Sequence, residues 1–168
     1  RAYSQYNMLI NWRKSQLLHE YELFPDKEKL NILLKKLLDT QNFPFSYWVN
    51  QEIEKIRNQE NTPIDFFPDF LHRGFYYEQL ERYYQFFPVE NILVIEHREL
   101  KNNRISTLRK IEQFLNIPYV DWNTINLDDK FVSQYNVKLP SDIRNKLKAF
   151  FKPYNEKFYK LIKRNFDW

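Results

Sequence analysis

Between residues 73 and 118 the spacing of apolar side chains changes twice, from helical to continuous and back to helical. Phe75, Gln79, Leu80, Tyr83, Tyr84 and Phe87 fall at helical spacing and give the first segment an aromatic face. Pro88 ends that predicted helix, because proline offers no backbone N–H. Ile92 to Ile95 is then an unbroken, β-branched apolar run, the pattern of a strand buried on both faces at about residues 91–96. Leu108, Ile111, Phe114 and Leu115 restore the helical period before Asn116-Ile117-Pro118 closes it. Helix, buried strand and helix in succession predict an α/β layer built on a parallel sheet. Such a sheet needs further strands, and the rest of the chain reads mostly as helix.

Before this unit, residues 1 to about 22 read as one helix, with Tyr6, Leu9, Ile10, Leu17 and Tyr21 near one face. Pro25 breaks it, and Asp26 is placed to cap the next helix. Leu30, Leu33, Leu34, Leu37 and Leu38 form that helix's apolar stripe. Phe43 to Ser46 reads as a turn, and Trp48, Val49, Glu52, Ile53 and Ile56 as a third helix. Residues 58–69 and 118–139 read as irregular. Ser141 is expected to cap a last helix with Ile143, Leu147, Phe150 and Phe151 inside, and Pro153 to interrupt it. Tyr154, Phe158, Leu161 and Ile162 carry the apolar face onward. One domain is the count that 168 residues suggest.

Composition excludes several classes. With no cysteine there is neither a disulfide nor a thiolate metal site, which points to a reducing, cytoplasmic setting. His19, His72 and His97 are too scattered for metal-ligand spacing. Nothing reaches the length of a membrane span, and Arg13 and Lys14 interrupt any apolar leader. A net charge of +4 favours a nucleotide, a phosphate or an anionic sugar as partner. The single glycine, Gly74, rules out glycine-rich linkers and phosphate loops within these residues.

Four blocks, in order, resemble the nucleotide-dependent sulfotransferases, above all the branch of heparan sulfate sulfotransferases and their bacterial relatives. They are Arg1-Ala2-Tyr3-Ser4-Gln5-Tyr6; Arg73-Gly74-Phe75-Tyr76 with Gln79-Leu80 and Phe87-Pro88; Ile92 to Glu96 with Glu99-Leu100 and the helix end Ile111 to Pro118; and Leu147 with Phe150 to Asn155, Phe158-Tyr159 and Phe166-Asp167-Trp168. The resemblance implies a fold like the P-loop nucleotide kinases, a parallel sheet with helices on both sides. It implies transfer of a sulfuryl group from 3′-phosphoadenosine 5′-phosphosulfate to a hydroxyl or amine, without a metal. Ser4 would hydrogen-bond the donor's 3′-phosphate, where a hydroxyl and free N–H groups near a helix start suit an anion. Arg1 matches the second arginine of that motif. Lys130, in Asp129-Lys130-Phe131, matches a lysine-glycine donor loop, with Phe131 where the family has glycine; Lys138 is the alternative.

By the same resemblance, the family's glycine-rich phosphosulfate loop and catalytic base belong to a preceding half that these residues do not contain. The chain therefore reads as the C-terminal portion of one sulfotransferase domain, inactive alone, supplying no catalytic residue. Residues 13–72 would form a helical acceptor region, 73–118 the core unit and 140–168 the C-terminal helices. Trp12, Tyr47, Trp48, Phe66 and Phe67 could line a pocket for a small molecule, lipid or carbohydrate acceptor. His72, and Glu96 with His97 at the strand's end, could face the cleft or simply tie loops. The aromatic stripes at 75–87 and 150–159 read as core. The competing readings are a non-catalytic helical module for nucleic acid or anionic polysaccharide, and a degenerate relative serving as a structural partner. The scattered basic residues and the core periodicity of the aromatics weigh against nucleic acid.

Overall fold

The computed structural model describes residues 2–11, 19, 26–58, 69–128, 138–166 and 168. Their helices are α1 (Ala2–Asn11), α2 (Lys27–Leu38), α3 (Phe45–Arg57), α4 (Tyr76–Tyr84), α5 (His97–Asn102), α6 (Arg104–Leu115) and α7 (Ser141–Ile162). Contacts gather them into two compact units, Arg1–Tyr76 with Tyr135–Asn155, and Tyr77–Gln134 with Glu156–Trp168.

The first unit holds the larger core. The Asp26 carboxylate accepts the Lys29 N–H at 2.8 Å and starts α2 as its cap. The predicted stripe then turns inward: Leu30, Leu34 and Leu37 are buried, while Leu38 is exposed at the edge. On α3, Trp48, Val49 and Ile53 meet that stripe, and Tyr6, Leu9, Phe70, Leu71 and Ile143 complete the cluster. The expected turn at 43–46 is shorter, because Pro44 caps α3 and Phe45 already belongs to it.

Two expectations for the last helix are corrected. The Pro140 carbonyl accepts the Arg144 N–H at 3.0 Å, so Ser141 opens α7 rather than capping it. The helix also runs through Pro153 without a break. Proline withholds one N–H from the Ala149 carbonyl, yet the flanking turns stay helical. Rings on this helix explain why: Phe150, Phe151 and Tyr154 all pack on Phe75, with Tyr154 stacked at 4.3 Å.

In the second unit the strand is corrected. No strand occurs among the described residues, and those elements are helical. Ile92 has extended backbone angles (φ −126°, ψ 114°), but its N–H returns to the Val89 carbonyl at 3.2 Å in a tight turn. Leu93 is exposed. A β-branched run reports a preference for extended backbone and burial, whereas a strand also needs a neighbour to take its hydrogen bonds. The described residues supply no such neighbour. The aromatic stripe of 75–87 is likewise core only in part: Phe75 is buried, whereas Tyr83, Phe86 and Phe87 are exposed. Helix α6 ends as Asn116 turns left-handed (φ 50°) and the Ile117 N–H reaches the Glu112 carbonyl.

Candidate functional site

The predicted donor residues meet the structure at one point. Ser4 lies in the first turn of α1, on its exposed side. The opposite side fixes the helix: Tyr3 and Tyr6 pack on Phe45 at 5.1 and 5.2 Å, and Tyr6 meets Phe70 edge-on at 5.8 Å. Burial, with Tyr3 beside it, raises the Tyr6 phenol above its ordinary range. The buried Asn7 amide donates to the Tyr3 carbonyl at 2.8 Å. These anchors hold α1 with Ser4 on its exposed side. Arg1 and Lys130 lie outside the described residues, as do Trp12, Phe66 and Phe67. Lys138 is exposed just ahead of α7.

The aromatic acceptor pocket is not assembled among the described residues. Trp48 is buried and donates its indole N–H to the Phe43 carbonyl at 3.2 Å, and Tyr47 lies edge-on to both Phe43 and Trp48. His72 is exposed, 4.0 Å from Asp69 and edge-on to Phe75. His97 opens α5, exposed to solvent. Glu96 accepts the Trp168 indole N–H at 3.0 Å and stands 3.9 Å from Arg98, so it ties the end of the chain rather than facing a cleft.

Sequence reasoning passed over two buried carboxylates. Glu52, on the inner face of α3, is 1% exposed and accepts the backbone N–H groups of Phe70 and Leu71, each at 2.7 Å. Burial pushes its carboxyl up to about 7, against the pull of those two hydrogen bonds. Glu112, on α6, takes the Arg109 guanidinium at 2.7 Å, the Val120 N–H at 3.0 Å and the Trp122 indole N–H at 2.8 Å. Burial raises its carboxyl, but these donors outweigh it and hold the group below the usual range. Arg109 also donates to the Val120 carbonyl and carries the Tyr119 ring at 3.7 Å. Arg104 donates to the Leu127 carbonyl, so α6 grips the segment after it at three points. The signal was present in both cases: a carboxylate at a core register of a helix must find donors.

The second unit also has a half-open hollow of about 240 Å³, lined by Tyr84, Val89, Ile92, Val94, Leu161 and Lys163 among others. Among the described residues there is no cluster of metal-ligating side chains, and no helix is long and apolar enough to cross a membrane.

Comparison with known proteins points one way. The family described as Sulfotransferase domain matches residues 37–128, from the end of α2 to the segment that α6 grips. The chain is 33% identical over 98 residues to the membrane-associated sulfotransferase kil1 of Dictyostelium discoideum, a match covering 58% of this chain and 20% of that protein. It is 24% identical over 123 residues to heparan sulfate glucosamine 3-O-sulfotransferase 5 of Homo sapiens, covering 55% of this chain and 32% of the relative. The Mus musculus protein of the same name matches to the same extent. The chain thus spans between a fifth and a third of the length of these curated relatives. No solved structure matches it. Because the family match takes in more than half of the chain, including α3, the Arg73–Tyr76 block and the Glu112 cluster, the chain belongs to the sulfotransferase-domain family.

Proposed function

We propose that this chain serves sulfuryl transfer from 3′-phosphoadenosine 5′-phosphosulfate to a hydroxyl or amine acceptor. The observation that carries the reading is the family match over residues 37–128. The exposed Ser4 hydroxyl at the start of α1 fits the part assigned to it: beside the first N–H groups of the helix, it can donate to a dianionic 3′-phosphate. Arg1 and Lys130 are the proposed basic contacts on the same donor. The donor supplies the activated sulfuryl group. These residues hold and orient its nucleotide end, and the base and the phosphosulfate loop are assigned to other residues of the domain. Positioning of this kind lowers the entropic barrier to an in-line displacement. A carbohydrate hydroxyl is the proposed acceptor, since two relatives are glucosamine 3-O-sulfotransferases by name and the chain's +4 charge suits an anionic sugar.

The test is binding of adenosine 3′,5′-bisphosphate, followed by thermal shift and calorimetry. The complete domain is expected to be stabilised by the nucleotide, and Ser4→Ala to weaken binding about tenfold through loss of one hydrogen bond to a charged group. No stabilisation of the wild type overturns the donor reading. Equal affinity in Ser4→Ala removes Ser4 from it.

A further inference from the structure

Glu52 is a buried carboxylate that the proposed transfer does not use. Its two oxygens hold two consecutive backbone N–H groups, those of Phe70 and Leu71, and both of these residues are themselves buried. The turn so held begins at Asp69, whose backbone is left-handed (φ 57°), and continues through the short helical turn His72–Gly74. A second carboxylate oxygen stands in the same place: Asp69 Oδ1 is buried and has no hydrogen-bond partner among the described residues. The groups facing Glu52 electrostatically are Asp69, which repels its charge, and Lys55 on α3, which favours it. Tyr6 on α1 packs on Phe70. Arg73 reaches Asp69 at 3.4 Å and offsets part of its charge, and the His72 ring stands 4.0 Å from the same carboxylate.

We propose that Glu52 is a proton-operated latch on the 69–74 turn: the protonated carboxyl holds the buried turn closed, and loss of the proton puts a second negative charge beside Asp69 in a water-poor site and loosens the turn. The physical basis is the imbalance of the site. Two carboxylates share it, and the Arg73 guanidinium, at 3.4 Å, pairs with Asp69. Burial and the neighbouring charge both lift the Glu52 carboxyl into the neutral range. The turn leads directly into Arg73-Gly74-Phe75, so the latch sets how firmly this block is seated in the first unit.

The experiment is amide hydrogen exchange at Phe70 and Leu71 in the full chain between pH 5.5 and 8.5, corrected for the intrinsic rate. Because the opened turn releases the proton at an ordinary carboxyl pH, protection in the wild type is expected to fall by up to about tenfold per pH unit from pH 5.5 towards neutrality and to be constant above it. In Glu52→Gln, which cannot ionise, protection should not vary with pH. In Asp69→Asn, which keeps a residue tolerant of positive φ, the repelling charge is gone, so the fall should level off at lower pH and be smaller overall. Wild-type protection that is flat with pH overturns the latch, as does a fall of equal size in Glu52→Gln. Should Glu52→Gln not fold, an Asp69→Asn profile identical to the wild type overturns it.

Discussion

A Cβ atom built on Gly74 would lie 2.7 Å from Cε1 and 2.9 Å from Cζ of Phe151. The only glycine of the chain is there because a ring occupies the space a side chain would need. Gly74 does not have a positive φ, so the requirement is one of room rather than of backbone freedom. Phe151 cannot move aside easily, since Phe75 and Phe150 pack against it at 6.0 and 5.1 Å. Gly74→Ala is therefore expected to destabilise the first unit by about 1–3 kcal/mol, measured by urea denaturation. Adding Phe151→Leu, which trims the ring, should recover part of the loss. Full stability in the single variant would contradict the contact.

Glu52 makes stability depend on pH with an unusual sign. The folded carboxyl keeps its proton up to about pH 7, whereas in the unfolded chain it releases it near 4.5. Between those values the folded state binds more protons, so stability falls as pH rises. The contribution is greatest below pH 4.5, declines by about 3 kcal/mol across the interval and is flat above pH 7. Subtracting the Glu52→Gln curve from the wild-type curve isolates it. A difference that rises with pH would refute the assignment.

Glu112 works in the opposite direction. Its carboxyl is held low in the folded state, so its contribution is present at neutral pH and is lost as pH falls through the folded value. Glu112→Gln should lower the unfolding midpoint at pH 7 and narrow the gap to the wild type in acid. It should also move the Trp122 indole N–H resonance upfield, because a charged acceptor is replaced by a neutral one. An unmoved resonance, assigned with Trp122→Phe, would mean that the indole is not held there.

How far the chain could be read in advance follows from which forces act locally. The α2 stripe and its Asp26 cap were legible, because capping and 3.6-residue periodicity are properties of a few neighbouring residues. The strand at 91–96 was not, because Ile92 to Ile95 show only that the backbone prefers to be extended; pairing depends on residues elsewhere. Pro153 was misread for a related reason. The local cost of a missing N–H is visible in sequence, but the packing of Phe150 and Tyr154 on Phe75 that sustains the helix is not.

At the site the same division holds. Ser4 is proposed on its flanking motif, and the structure places it on the exposed side of α1. Trp48 was assigned to a pocket because aromatic residues serve equally in pockets and in cores; its burial and its bond to Phe43 decide for the core. Glu52 and Glu112 stood in plain view on apolar helix faces. Their partners at Phe70, Leu71, Val120 and Trp122 lie in irregular segments, where sequence offers no register to count by.

Among the described residues the backbone turns left-handed at Asp69, Asn116 and Lys163, none of which is glycine. Asparagine and aspartate tolerate that geometry, but a lysine has no side-chain means of easing it. Position 163 is thus an unclaimed reserve of thermal resistance, open to a change as small as the removal of one side chain.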